Sequence, residues 1–215
     1  MFKVILFDLD GTLTDPKIGI TTCVQYALKH FGIEEEIDNL TKFIGPPLID
    51  SFMEFFGFTL EQAKEATAVY RERFAPIGKF ENEVYPGIPE MLALLKNKGI
   101  KLAVASSKPE PFVNDILVHF DLKQYFDIVV GSLLNETRTK KEEVLEEALR
   151  QIGTGYSKDE MAMVGDRKFD VASANQFGLT AVGVRFGYAE PGELEAENPD
   201  FIADTVEDLA TYLSK

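Results

Sequence analysis

The stretch Lys3–Asp15, KVILFDLDGTLTD, decides how the rest of the chain is read. Val4, Ile5, Leu6 and Phe7 form a short continuous apolar run, the pattern of a strand buried on both faces. The run ends in Asp8, and after Leu9 come Asp10, Gly11 and Thr12. Two carboxylates at the mouth of a buried strand repel one another and lose solvent, so one takes up a proton or both require a cation. That arrangement costs stability, and a chemical role accounts for it.

Outward from this point, the strand pattern recurs. Apolar runs at Leu102–Ala105, Ile128–Val130, Met161–Val164 and Ala181–Val184 read as further buried parallel strands. Helical periodicity lies between or after them: Ile88–Lys98, stopped by Gly99; Glu142–Gln151, with Val144, Leu145, Ala148 and Leu149 on one face; Asp170–Phe177, closed by Gly178; and Thr205–Leu213, with Thr205 as N-cap. Strands alternating with helices predict an α/β fold with a doubly wound, Rossmann-like parallel sheet. One interval breaks the rhythm. Roughly 95 residues separate the first two strands, far more than a simple crossover needs. Here Ile18–Phe31, Leu48–Phe56 and Thr59–Phe74 read as helices, the last opened by a capping box of Thr59 and Gln62. Residues 16–83 are therefore expected to form an inserted helical bundle, and residues 1–15 with 84–215 the core, with hinges near Asp15-Pro16 and Glu83.

The totals bound the function. With 215 residues, the chain is long enough for one large core or two unequal domains, and 45% hydrophobic with 27% charged residues is ordinary for a globular protein. No apolar run approaches a membrane span, and no basic segment precedes the first apolar one, so neither a membrane partner nor a signal peptide is expected. The single cysteine, Cys23, excludes an internal disulfide and suits a reducing cytoplasm. A net charge of −14 argues against nucleic acid, whose phosphates demand Lys/Arg surfaces. It does not exclude a small phosphorylated ligand, because a local cation overrides the global field.

In doubly wound sheets, ligands bind outside the carboxyl ends of the strands. Those ends carry Asp8 and Asp10; Ser106, Ser107 and Lys108; Gly131, leading to Lys140 and Lys141 before a helix; and GDRKFD, with Asp166 and Asp170. Four carboxylates on one edge need a divalent cation, and an all-oxygen set points to Mg2+.

This set resembles the haloacid dehalogenase-like superfamily of phosphohydrolases: DLDGT, ASS, Lys141 and GDRKFD match its four motifs in order, over nearly the whole chain. The helical insert then resembles the family's type-1 cap. IGPPL (Ile44–Leu48) with NETRTKKEEVL (Asn135–Leu145) is similar to the phosphoglycolate phosphatase-like or nucleotidase-like branch. The resemblance implies an aspartyl-phosphate mechanism with Asp8 as nucleophile and Asp10 as general acid and base. It implies Mg2+ held by Asp8, the main-chain carbonyl of Asp10, and Asp166, with Asp170 orienting a metal-bound water or a ligand. It implies phosphoryl binding by Ser106 and the main-chain N–H groups of Leu9, Asp10 and Ser107, and charge neutralisation by Lys141. The substrate it implies is a small phosphorylated metabolite: phosphoglycolate, a nucleoside monophosphate or pyrophosphate.

Several residues carry two readings. Lys140 and Lys141 compete for the site lysine; the spacing K-E-E-V-L favours Lys141. Gly45 and Pro46 read as a helix start with an early proline, or as a loop facing substrate. Phe43, Phe52, Phe55, Phe56 and Phe58 read as packing residues. Arg71 and Arg73 read as solvent-facing on the long helix, or as a clamp for a second anionic group; Arg167 is expected at the surface, and His30 and His119 lack metal-ligand spacing. Two alternatives remain: a sugar phosphomutase on the same fold, and a non-catalytic phospho-acceptor. The third strand ends in Gly131-Ser132 without an aspartate, which disfavours a receiver-type acceptor.

Overall fold

The structure is a computed structural model and describes residues 1–215. In chain order the elements are β1 (Val4–Phe7), β2 (Thr14–Asp15), α1 (Lys17–His30), α2 (Leu48–Phe56), α3 (Leu60–Phe74), β3 (Glu83–Val84), α4 (Ile88–Asn97), β4 (Lys101–Pro109) and α5 (Glu110–His119). Then follow β5 (Ile128–Ser132), α6 (Lys141–Ile152), β6 (Met161–Gly165), α7 (Lys168–Phe177), β7 (Thr180–Val184), α8 (Glu193–Ala196), β8 (Phe201–Ala203) and α9 (Val206–Leu213). The chain divides into two compact units, Met1–Asp15 with Val84–Lys215, and Pro16–Glu83.

The larger unit is built on one sheet of order β5-β4-β1-β6-β7-β8, with every pair parallel. β1 sits in its middle because both its faces are apolar. Ile5 and Phe7 point into a cluster with Met91, Leu92, Leu95, Ile116, Leu117 and Leu209, under α4, α5 and α9. Val4 and Leu6, one step out of phase, join Val144, Leu145, Ala148 and Val171, under α6 and α7. From β1 the sheet grows through β4 to β5 on one side, and then the chain returns to place β6 on the other. The crevice where strand order reverses lies at the carboxyl ends of β4, β1 and β6.

The structure adds elements that periodicity does not reveal. β8 is three residues long at the sheet edge, too short to show an alternation. α5 begins in a stretch carrying Pro109 and Pro111, which reads as a breaker, yet proline is tolerated in a first helical turn, where N–H groups have no helical partner. β4 runs past Ala105 to Pro109, with a register shift against β5 between these residues. That irregularity lifts Ser106–Lys108 out of the regular ladder.

The smaller unit is helical. α3 starts with the expected reciprocal cap, in which the Gln62 N–H donates to Thr59 Oγ1 and the Thr59 N–H donates to Gln62 Oε1. Its core is a phenylalanine cluster, with Phe43 ring centroids 5.0 Å from Phe52 and 5.4 Å from Phe55, and Phe58 stacked 5.8 Å from Phe52. Arg73, expected at the surface, instead pairs with Glu81 through two contacts of 2.6 and 2.9 Å and donates to the buried Cys23 Sγ at 3.2 Å.

Candidate active site

The crevice brings together the residues the strand ends predict. Asp8 leaves β1 directly and is 4% exposed; its Oδ1 accepts the Leu9 N–H at 2.7 Å. Asp166 follows β6, and Asp170 lies in the first turn of α7, where its Oδ2 accepts the Arg167 N–H at 3.1 Å. One carboxylate oxygen from each of Asp8, Asp166 and Asp170 lies within 4.8 Å of the others, and all three residues are buried.

Lys141, the first residue of α6, reaches into this group. Its Nζ is 3.0 Å from Asp8 Oδ1 and 2.8 Å from Asp170 Oδ1, and it donates to the Ala105 carbonyl at 3.0 Å. Burial pulls this ammonium down, but Asp170 and Asp8 outweigh it and hold the pKa above the ordinary lysine value. Lys140 sits one residue earlier, as N-cap, and is exposed. Of the two candidate lysines, the structure places Lys141 and not Lys140 among the carboxylates.

Asp10 does not join the three clustered carboxylates with its side chain. Its Oδ2 pairs with Lys108 at 2.5 Å, and its Oδ1 is buried without a hydrogen-bond partner. Burial raises its pKa, against the opposing charge of Lys108. Ser106 is 2% exposed, and its Oγ accepts the Lys108 N–H at 3.4 Å; Ser107 is half-buried. Gly45 and Pro46 lie in the helical unit, in the link between the turn Ile37–Phe43 and α2, and are not part of the crevice residues of the sheet unit.

The electrostatics fit a divalent cation. Asp8, Asp10, Asp166 and Asp170 face two buried ammonium groups, Lys108 and Lys141, which leaves two negative charges unbalanced. Asp166 bears the consequence. Burial first, then the charges of Asp170 and Asp8, push its pKa well above the ordinary carboxylate range. Asp170 is raised by burial too, with Lys141 opposing. A hard oxygen set of this charge is compatible with a divalent cation.

Three residues have partners that the sequence reading does not assign. Lys108 was visible at a strand end without an assigned partner. Arg167 is buried rather than superficial, paired to Glu193 at 2.9 Å. Tyr188 follows β7, and its N–H donates to Asp166 Oδ2 at 2.8 Å while its hydroxyl donates to Asp15 Oδ1. The rule that ligand-facing residues follow strand carboxyl ends applies equally to β7 and points at this turn.

A family profile described as haloacid dehalogenase-like hydrolase matches residues 5–184, and the chain belongs to that family. A protein named 5'-nucleotidase from Pseudomonas aeruginosa is 45% identical over 196 residues, which cover 91% of this chain and 88% of that one. A phosphoglycolate phosphatase from Aquifex aeolicus is 33% identical over 221 residues, covering 98% and 96%. Among solved structures, a predicted phosphatase from Clostridium acetobutylicum superimposes with a TM-score of 0.95 at 42% identity, covering 99% of this chain and 98% of that one.

Proposed function

We propose that the protein is a Mg2+-dependent phosphomonoesterase that acts on a small phosphorylated metabolite through an aspartyl-phosphate on Asp8, with nucleoside monophosphates as the leading substrate class. The observation that carries this reading is the buried trio of Asp8, Asp166 and Asp170 with Lys141 held among them. The nucleotide preference is supported by the greater likeness to the relative named 5'-nucleotidase than to the one named phosphoglycolate phosphatase.

The chain's own groups divide the work. Asp8, with Oδ1 fixed by Leu9 N–H and Lys141, presents its second oxygen to phosphorus. The new P–O bond forms as the ester P–O bond breaks in line, and Asp10 gives its proton to the leaving oxygen. Asp10 then takes a proton from the water that cleaves the acyl phosphate and releases inorganic phosphate. Lys141 offsets negative charge on Asp8 and the phosphoryl group, and the Ser106 hydroxyl with the Ser107 N–H donates to phosphoryl oxygens. Asp8, Asp166 and the Asp10 carbonyl would hold Mg2+, with Asp170 in support. When bound, the cation supplies charge neutralisation that lets an anionic nucleophile meet an anionic ester. The helical unit is assigned the role of a cap that excludes bulk water and sets specificity, with Gly45 and Pro46 as its candidate substrate contacts.

The test is phosphate release from a panel of nucleoside 5'-monophosphates, phosphoglycolate, sugar phosphates and pyrophosphate, with Mg2+ and with EDTA, beside Asp8→Asn. Selective turnover that disappears with EDTA and in Asp8→Asn is expected. Turnover undiminished in Asp8→Asn refutes the covalent mechanism. Preference for phosphoglycolate over every nucleotide refutes the substrate class.

A further inference from the structure

Asp166 is enclosed from two directions. Gly11, in the turn after β1, and Gly187, in the turn after β7, both press backbone against it: a Cβ at Gly11 would collide with the Asp166 carboxylate, and one at Gly187 would collide with the Gly11 carbonyl oxygen and Asp166 Cβ. The next residue closes the enclosure, because the Tyr188 N–H donates to Asp166 Oδ2 at 2.8 Å. Thr12 Oγ1 lies 3.4 Å from the other oxygen, Oδ1. This turn is fixed on each side. Arg185 N–H bonds the Ala203 carbonyl at 3.0 Å, the Phe186 ring packs edge-on against Tyr85 at 5.1 Å, and the Tyr188 hydroxyl donates to Asp15 Oδ1.

We propose that the Phe186–Tyr188 turn is a positioning element for the metal ligand Asp166, and that the Tyr188 hydroxyl bond to Asp15 is its anchor. The inference rests on the reading of Asp166 as a cation ligand. A carboxylate that must stay ionised among like charges needs donors aimed at it, and a main-chain N–H keeps its aim only if its own segment is held. The turn supplies the donor, Gly187 permits the approach, and Asp15 holds the segment. Asp15 is also the last residue of the sheet unit before the chain enters the helical unit, so the same bond ties the ligand shell to that exit.

The test uses the full chain and Mn2+ as an electron-paramagnetic probe of the divalent site, with the thermal midpoint of the metal-free protein measured in parallel. Tyr188→Phe and Asp15→Ala are each expected to raise the Mn2+ dissociation constant about tenfold, the scale of losing an outer-shell partner. The double variant is expected to do no more than either single one, because both remove the same bond. Asp15→Asn, which keeps an acceptor oxygen, is expected to stay within about twofold of wild type. Gly187→Ala is expected to weaken binding by at least as much as Tyr188→Phe. Unchanged Mn2+ affinity in Tyr188→Phe and Asp15→Ala overturns the proposal, whether or not the metal-free midpoint falls. Weakening by Asp15→Asn equal to that by Asp15→Ala also overturns it, since charge and not the anchor would then carry the effect. No saturable Mn2+ binding by the wild type refutes the cation site itself, and the positioning role with it.

Discussion

Lys141 owes its place in the crevice to one residue of register. As the first residue of α6 it is drawn back over the end of β4 to the Ala105 carbonyl, Asp8 and Asp170, whereas Lys140, one position earlier, faces solvent. Lys141→Met removes the only ammonium among the clustered carboxylates and leaves them unpaired. It is expected to lower phosphate release by about 10³-fold or more and to lower metal-free stability in urea by about 3 kcal/mol. Lys140→Met is expected to shift stability by no more than about 0.5 kcal/mol, with release little changed. Equal losses from the two substitutions would contradict the geometric assignment. The spacing K-E-E-V-L favours Lys141 but does not separate the pair, because adjacent helix-start lysines differ only in the direction of the first turn.

At the scale of elements, α7 carries both Asp170 and the end of the loop from Asp166, so its N-terminus must be held in place. Glu193, opening α8, does this: it accepts from Arg167 Nε and the Lys168 N–H, both at 2.9 Å, and from the Glu190 N–H at 3.0 Å. Burial pushes the Glu193 carboxyl up, but the hydrogen bonds from Arg167, Lys168 and Glu190 outweigh it and hold the pKa below the ordinary value. A depressed carboxylate pKa stabilises the fold above its unfolded value of about 4.3 and loses that contribution as pH falls through the folded value. Glu193→Gln is therefore expected to cost about 1–2 kcal/mol near neutrality. The gap from wild type, followed by urea unfolding at successive pH values, is expected to close on acidification below about 4.3. A gap that stays constant with pH would assign the effect to packing. α8 has only four residues, so no periodicity in the sequence announces it or its partner.

Across the whole molecule, a chain of net charge −14 concentrates unbalanced acids where the sheet's strand order reverses. A divalent cation bound there would stabilise the folded state by mass action. Mg2+ at about one hundred times its dissociation constant is expected to add about 2.7 kcal/mol, seen as a higher thermal midpoint that EDTA reverses. Asp166→Asn is expected to abolish most of that shift; a shift of the same size in the variant would place the stabilising cation elsewhere. No helix is long and apolar enough to cross a membrane.

The sequence alone determined the sheet class, five of its strands and the acidic strand ends, because a buried parallel strand must be apolar along its length and the carboxylates that break such a run stand out. The reciprocal cap of Thr59 and Gln62 was legible for the same local reason: its partners are three residues apart. Only the tertiary structure decided that Asp10 turns to Lys108 rather than to the other carboxylates, that Arg73 is half-buried and Arg167 buried in ion pairs, and that Tyr188 reaches Asp166 and Asp15. Those contacts join residues whose separation along the chain is set by topology, up to 173 positions apart for Tyr188 and Asp15. Periodicity carries no record of such pairs, because the force that selects them is the desolvation of charge in a crevice that exists only once the strands have assembled.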